Sequence, residues 1–176
     1  MPKNADKPEE LAPVAPDRQP RSVGFLVSQL GFISSKRFMQ ALEPLGIDPR
    51  EFLLLRFVAA SEGQSQQALA ERMAVPPSRM VALGDRLEEN GLLERRPHPD
   101  DRRIRALHLT AEGQDVLGRA GEIAIGFEAA LCASLEEGER DQLIDLLLKL
   151  QVDQSGPRGV HPGFGGGRPK GSSADS

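Results

Sequence analysis

Residues 69–96 read LAERMAVPPSRMVALGDRLEENGLLERR, and this stretch decides the fold. Two adjacent prolines separate a short helix, predicted over Gln66–Met73 with Ser65 as its cap, from a second helix that begins at Pro77. The second helix ends at Gly91, which favours helix termination. Its apolar residues recur at helical spacing and form one face, and they are Met80, Leu83 and Leu87. The stretch therefore predicts two helices joined by a tight turn.

After these helices the apolar period changes to that of a strand. Residues 92–96 and 103–109 read as two short strands, because side chains in the second alternate in character. A charged turn, residues 97–102, joins them. Helix, tight turn, helix and hairpin is the order of a winged helix-turn-helix, in which the second helix enters the major groove of DNA by its N-terminal residues.

The flanking segments are predicted to be helical. Helix 1 runs from about Arg21 to Leu45. Its apolar residues form two rows, which indicates that the helix is buried on more than one side, for example by a partner subunit. Helix 2 opens at Asp48 with a capping pattern and closes near Gly63. Helix 5 follows Thr110. Helix 6 is predicted to open at the capping pattern Ser134-Leu135-Glu136-Glu137. The predicted fold is mainly α with a small two-stranded β wing, a winged helix-turn-helix domain plus a helical dimerisation region.

The chain of 176 residues has room for one domain with tails. Residues 1–20 hold five prolines and are predicted to be a disordered arm, and residues 152–176 a disordered tail rich in Gly, Pro and Ser. Between them lies the domain at 21–151, with its winged part at about 48–110 and dimerisation helices at about 21–45 and 111–151. The single cysteine and the lack of a long apolar segment favour a soluble, cytoplasmic protein with no membrane partner.

Charge is unevenly distributed along the chain. The formal net charge is -4, which excludes a uniformly basic protein that coats nucleic acid. Residues 111–151 hold three basic and nine acidic side chains, whereas residues 95–105 hold five arginines against two aspartates. A basic hairpin on an acidic body suits a DNA reader, because phosphate attraction acts only at the docking face. Taken alone, the same hairpin is equally consistent with a solvated charged loop.

Three blocks of sequence resemble the MarR family of bacterial transcription regulators. They are Leu69-Ala70 to Val75, then Leu83-x-x-Arg86-Leu87-Glu88-x-x-Gly91-Leu92-Leu93-x-Arg95, then Asp101-Arg102-Arg103-x-x-x-Leu107-x-Leu109-Thr110-x-x-Gly113. With the flanking helices, the resemblance covers about residues 21–151. It implies a homodimer in which helices 1, 5 and 6 intertwine and two winged domains read a pseudo-palindromic operator. Such a regulator is usually a repressor that a small-molecule effector releases.

The resemblance also implies roles for single residues. Asp101 is expected to be a structural partner for arginines, Arg103 to enter the minor groove, and Arg95 to steady the wing or touch phosphate. The full set predicted to contact double-stranded DNA is Ser65, Pro77, Ser78, Arg79, Val81, Ala82, Arg86, Arg95, Arg102 and Arg103. At two of these positions, Pro77 and Ala82, relatives often carry a basic or polar residue. Arg79 is therefore the main candidate for reading a base, with a solvent-exposed helix charge as the alternative.

Other chemistry has little support in the sequence. By resemblance, an effector site is expected between helices 1, 2 and 5, where Phe25, Phe32 and Phe52 are candidate ligand contacts or plain core residues. Cys132 is expected to be a packed helix residue. The histidines lack metal-ligand spacing, and no catalytic motif occurs, so no metal, cofactor or enzymatic activity is expected. The alternative function is a winged-helix scaffold for protein interactions without specific DNA binding.

Overall fold

The computed structural model describes residues 22–98 and 105–152. Its helices and strands are α1 Val23–Leu42, α2 Pro49–Ala60, α3 Gln66–Arg72, α4 Pro77–Glu89, β1 Leu93–Pro97, β2 Arg105–Leu109, α5 Ala111–Leu131 and α6 Glu139–Val152. A single 3-10 turn, Glu43–Leu45, follows α1. The chain divides into two units between Lys36 and Arg37. Within residues 22–98 and 105–152, the predicted six helices and one strand pair are confirmed.

The hydrophobic core lies in the second unit and is built by the end of α1, by α2, α3 and α4, by the two strands and by the start of α5. Its fully buried apolar side chains include Leu42, Leu54, Leu55, Val58, Leu69, Met73, Met80, Leu87, Leu93 and Leu107. On α4 the buried residues recur every three or four positions, as predicted. Phe38 packs edge-on against Phe52 and also contacts Phe127 of α5. The core thus holds α4 by one face and leaves the other exposed.

Local sequence explains where α2 and α3 begin. The Asp48 side chain accepts hydrogen bonds from the amides of Arg50 and Glu51, and the Glu51 side chain accepts one from the Asp48 amide, which completes a capping box. The Ser65 hydroxyl oxygen caps α3 by accepting from the Ala68 amide at 3.1 Å. Both predicted caps are confirmed.

The turn between α3 and α4 is tight. Ala74 adopts a left-handed conformation, with φ 50°, and its amide donates to the Glu71 carbonyl. The Val75 amide donates to the Ala70 carbonyl at 3.0 Å, which closes the end of α3. Pro77 then occupies the first position of α4, where its missing N–H costs nothing. The helix-turn-helix unit therefore follows directly from the quoted sequence.

The two strands form an antiparallel hairpin, with Leu93 opposite Leu109 and Pro97 opposite Arg105. The segment that precedes α3 adds to the other edge of β2: the Gly63 amide donates to the Leu107 carbonyl, and the Leu107 amide donates to the Gln64 carbonyl. The sequence did not reveal this short extended segment, because a single β-bridge leaves no alternating pattern of apolar and polar residues.

The predicted boundaries of α1, α2 and α6 differ most from the structure. The α-helical part of α1 stops at Leu42, because Pro44 cannot continue the hydrogen-bond ladder and the last turn is 3-10. Helix α2 ends at Ala60, before Gly63. The prediction that helix 6 opens at Ser134 is wrong: α6 begins at Glu139, after Gly138 with φ 86°. The Glu136 amide donates to the Glu139 carboxylate within the turn that precedes α6.

Large apolar side chains remain exposed on α1 and α6. In the first unit Phe25 is 46% exposed and Phe32 is 74% exposed. In the second unit, Glu139–Gln151 has no buried side chain, although five of its residues are leucines and one is Ile144. Among residues 22–98 and 105–152, no helix has the length and apolarity required to cross a membrane.

Candidate DNA-binding interface

The exposed face of α4 begins at its N-terminus. Pro77, Ser78, Val81 and Ala82 are exposed, and Val81 keeps 45% of its surface accessible although it is apolar. Arg79 is half-buried. The neighbouring Met80 faces the core. The structure therefore places four of the predicted contacts on one open surface, with Arg79 beside them.

Ser65 lies at the N-terminus of α3, where it is half-buried. Its hydroxyl oxygen accepts the cap hydrogen bond, and Ser65 forms the β-bridge to Ala106 on the edge of β2. The hydroxyl hydrogen is a donor of the kind that binds phosphate oxygens. The capping role is thus observed, and a phosphate contact is chemically compatible with it.

Arg95 lies on β1 but is held by α4. Its side chain, only 17% exposed, forms ion pairs with Asp85 at 2.5 Å and with Glu88. Its backbone amide donates to Glu88 at 3.2 Å, and its Nε donates to Gln66 of α3 at 3.4 Å. Of the two roles that the sequence left open, this geometry favours steadying the wing.

Gly84 leaves room for the Arg95 side chain to pass over α4. A Cβ atom at this position would lie 2.7 Å from the Gln66 amide nitrogen and 3.1 Å from an Arg95 guanidinium nitrogen. Because the glycine leaves this space empty, both side chains cross the middle of α4. Helix α3, helix α4 and β1 are therefore tied together at one point.

The base of the wing is fixed by the Thr110-x-x-Gly113 motif. The Thr110 hydroxyl donates to the Gly91 carbonyl at 2.6 Å and accepts from the Gly113 amide at 2.9 Å. It therefore caps α5 and also binds the turn that follows α4. The Thr110 amide donates to the Leu92 carbonyl at 3.2 Å. This motif joins the last residue before α5 to the first residues of the wing.

The tip of the wing is not among the described residues. Asp101, Arg102 and Arg103, which the sequence predicted as wing residues, lie outside them. The strands that lead to the tip carry Arg96, paired with Glu94, and the exposed Arg105. The described part of the hairpin is thus basic on both arms.

Arg86, also predicted as a DNA contact, pairs with a buried acid. Its Nε lies 2.9 Å from Oε1 of Glu51, whose side chain is 0% exposed, while the Arg86 side chain is 57% exposed. Burial raises the pKa of Glu51, and the Arg86 charge opposes this shift only in part. The sequence showed Glu51 as a capping residue but gave no signal for its partner 35 positions later.

A cleft of about 370 Å³ opens beside this pair. It lies between the end of α1 and the start of α2, and residues lining it include Met39, Glu43, Ile47, Asp48 and Arg86. Phe25, Phe32 and Phe52, the predicted ligand contacts, do not line this cleft. Phe52 is buried against Phe38, as expected for a core residue.

Cys132 has neighbours that are close to it in sequence. Cys132 is half-buried just after the last residue of α5, where its sulfur lies 3.9 Å from a Glu128 carboxylate oxygen. Arg140 of α6 pairs with the same carboxylate at 3.1 Å. Within the part of the chain that the structure describes, no group of three or more His, Cys, Asp or Glu side chains has a geometry suited to a metal ion.

A helix-turn-helix with an exposed second helix, followed by a hairpin tied to that helix, defines a winged helix-turn-helix protein. Comparisons with known proteins agree. Residues 45–104 match the model of the MarR family. A putative transcriptional regulatory protein for the hcr operon of Thauera aromatica is 31% identical over 158 residues, which cover 88% of this chain and 95% of that protein. The chain belongs to the MarR family of transcriptional regulators.

Solved structures of the repressor CouR are similar to this chain. CouR bound to a 23-mer DNA duplex has a TM-score of 0.66 and 28% identity, over 74% of this chain and 92% of that one. CouR of Rhodococcus jostii RHA1 bound to p-coumaroyl-CoA has a TM-score of 0.63 and 28% identity, over 77% of this chain and 96% of that one. One relative structure is thus bound to DNA and another to a small molecule.

Proposed function

We propose that this protein is a homodimeric, DNA-binding transcriptional repressor that responds to a small molecule. The observation that carries the proposal is the exposed N-terminal face of α4, set between the wing and α3 so that it can enter a major groove. The relatives named as regulators and the DNA-bound CouR structure support it. A pseudo-palindromic operator follows from the two-fold symmetry of the dimer.

We assign the following residues to the DNA interface: Ser65, Pro77, Ser78, Arg79, Val81, Ala82, Arg102 and Arg103. Arg79 is proposed to read a base edge, because Arg bound to guanine is the commonest specific contact. Arg103 is proposed to enter the minor groove, with Asp101 as its structural partner. Arg95 is assigned to wing positioning, because its guanidinium is already held by Asp85 and Glu88.

We further propose that the domain spans residues 21–151, between an N-terminal arm and a C-terminal tail. Dimerisation is assigned to helices 1, 5 and 6, since α1 and α6 expose large apolar side chains. The protein is proposed to act in the cytoplasm and to be a regulator without enzymatic activity, as the functions named for its relatives support.

The effector is proposed to bind in the cleft beside Arg86. The volume of this cleft lies within the range of roughly 300–1,000 Å³ that is usual for small-molecule sites. It borders α4, so an occupied cleft would act on the DNA-binding helix directly. The first probe is p-coumaroyl-CoA, the molecule bound in one CouR structure. Release of bound DNA by the probe, lost in Met39→Trp, supports the assignment; release that Met39→Trp leaves intact places the effector elsewhere.

Fluorescence anisotropy tests the main proposal. The purified protein is titrated against DNA from upstream of its own gene and against random DNA, at several salt concentrations. Selective binding whose log K falls steeply with log salt, by about 0.9 per neutralised phosphate, is the expected result. Equal, weak binding to both DNAs would contradict operator recognition at this site. Val81, apolar and exposed on α4, would then favour the scaffold alternative.

A further inference from the structure

Glu51 has two partners on two different elements. One carboxylate oxygen accepts the Asp48 amide hydrogen at 2.7 Å and so closes the start of α2, while the other lies 2.9 Å from Nε of Arg86 on α4. The Glu51 side chain is fully buried, whereas Arg86 reaches it from an exposed position. A buried carboxylate is costly to desolvate, so removal of its cationic partner leaves an uncompensated buried charge.

Arg86 is one helical turn beyond Ala82, on the exposed side of α4. Its Nε lies 2.9 Å from the buried Oε1 of Glu51, so the two side chains form an ion pair between α4 and α2 without a well-aligned hydrogen bond. The remaining contacts of this helix with the core are made by Met80, Leu83 and Leu87. Hydrophobic packing of this kind is non-directional, whereas an ion pair to a buried carboxylate restricts the rotation of the helix, because rotation would move Arg86 away from its partner.

The opposite side of α4 has its own ion pairs, from Asp85 and Glu88 to Arg95 of the wing. Asp85 and Arg86 are adjacent in sequence, so the helix is held from α2 and from β1 within one turn. These pairs set the rotation of α4 about its axis, and this rotation determines the direction in which Ser78, Val81 and Ala82 face.

We propose that Glu51 is a positioning residue for DNA recognition, which acts through Arg86 to fix the rotation of α4. Arg86 is then the link between α2 and α4, and it does not contact phosphate. This inference rests on the proposed function, because it concerns the affinity for an operator. It assigns a role in DNA binding to a side chain that is itself inaccessible to DNA.

The test compares Glu51→Gln, Arg86→Gln and the double variant by anisotropy on the operator fragment. Each single variant is expected to lose about tenfold in affinity, and the double variant no more than either, because the two residues act as one unit. The slope of log K against log salt is expected to stay at the wild-type value in all three. Loss of a phosphate contact would instead reduce that slope by about 0.9.

Two controls separate positioning from charge and from stability. Arg56→Gln removes an exposed arginine of α2 that lies over the Phe52 ring, and it should leave affinity unchanged. Val58→Ala removes buried methyl groups from α2 without touching the ion pair, so it reports how far lost stability alone lowers affinity. Active fractions are fixed by stoichiometric titration well below the unfolding temperature.

Three results would overturn the inference. Glu51→Gln could bind as tightly as the wild type, Arg86→Gln alone could lose affinity with a shallower salt slope, or Val58→Ala could lose as much affinity as Glu51→Gln. Each leaves selective binding by the wild type intact and so contradicts this inference alone. A wild-type protein that does not distinguish the operator from random DNA would overturn the proposed function, and this inference with it.

Discussion

Gly113 occupies a position in α5 where a side chain has no room. A Cβ atom there would lie 2.0 Å from the Leu92 carbonyl oxygen, which is itself held by the Thr110 amide. Gly113→Ala is therefore expected to lower the free energy of unfolding by about 1–3 kcal/mol, as overpacking does, although alanine is the better helix former. Urea denaturation followed by circular dichroism measures the change.

Gly118 in the same helix provides the matched control. A Cβ atom at Gly118 meets nothing within 4 Å, so Gly118→Ala should raise the free energy of unfolding by about 0.5–1 kcal/mol. Opposite signs for the two substitutions are the expected outcome. If both stabilise the protein, the contact between α5 and the first wing residues is looser than described.

The Glu51 carboxyl gives the stability of the protein a pH dependence of known sign. Burial, followed by the nearby Asp48 charge, raises its pKa above the ordinary 4.5, against the Asp48 amide and Arg86, which lower it. An acid with a raised pKa in the folded state binds its proton more tightly when folded. Its contribution to stability is therefore full below 4.5 and is lost as the pH rises through the folded pKa.

Glu51→Gln removes this titration and keeps an oxygen that can accept the Asp48 amide hydrogen. We expect the variant to gain stability relative to the wild type as the pH rises above 4.5. Urea denaturation of both proteins between acid and neutral pH measures the difference. A difference that does not change with pH would show that the Glu51 pKa is not raised by folding.

At the scale of elements, one arginine ties the first strand of the wing to the polar side of α4. Arg95 and Arg96 are neighbours on β1, yet Arg95 is 17% exposed and pairs with α4, whereas Arg96 is 56% exposed and pairs with Glu94 of its own strand. Arg95→Gln should cost about 1–3 kcal/mol, because it leaves Asp85 and Glu88 without their cation. Arg96→Gln should cost at most about 1 kcal/mol, as for exposed pairs.

Hydrogen exchange gives the readout that locates this effect. Amides of β1 and β2 should exchange faster in Arg95→Gln, while those of α2 keep wild-type protection, because only the tie between wing and α4 is lost. Arg96→Gln is the control and should match the wild type throughout. Uniformly faster exchange in Arg95→Gln would mean global destabilisation and would contradict a local tie.

The elements themselves could largely be predicted, because their signals are local. Asp48 and Ser65 each cap the helix that they precede, as expected, and Thr110 caps α5, which was predicted only to follow it. The start of α6 was missed because Gly138, with φ 86°, breaks the helical backbone after the predicted cap, and α6 begins only at Glu139. A capping pattern alone does not show where a later glycine interrupts the helix.

The site was only partly predictable, because its key contacts join residues far apart in sequence. The exposed start of α4 follows from helical spacing and was predicted. The partners of Arg95 on β1 and of Arg86 on α4 were not, since the pattern of a strand or a helix does not show which other element its side chains contact. The sequence thus predicted which surface α4 exposes, whereas only the structure reveals what holds that surface in place.

For the whole molecule, the exposed apolar surface of α6 demands a partner. Leu143 and Leu147, four residues apart on one face, are 42% and 43% exposed, and no side chain of Glu139–Gln151 is buried. Soluble proteins seldom leave such patches uncovered, and homodimerisation would cover this one. The double substitution Leu143→Asp/Leu147→Asp is expected to yield a monomer, as measured by sedimentation equilibrium.

Lys149→Asp is the matched control, because it changes the net charge by the same two units on the opposite face of α6. It should remain dimeric. The monomer should keep its winged unit folded, since that core does not include α6, and yet lose operator affinity steeply, because two half-sites about 34–36 Å apart can be read together only by a dimer. A folded monomer that binds the operator as tightly as the wild type would mean that one winged unit suffices for recognition, and the two-fold operator would have to be abandoned.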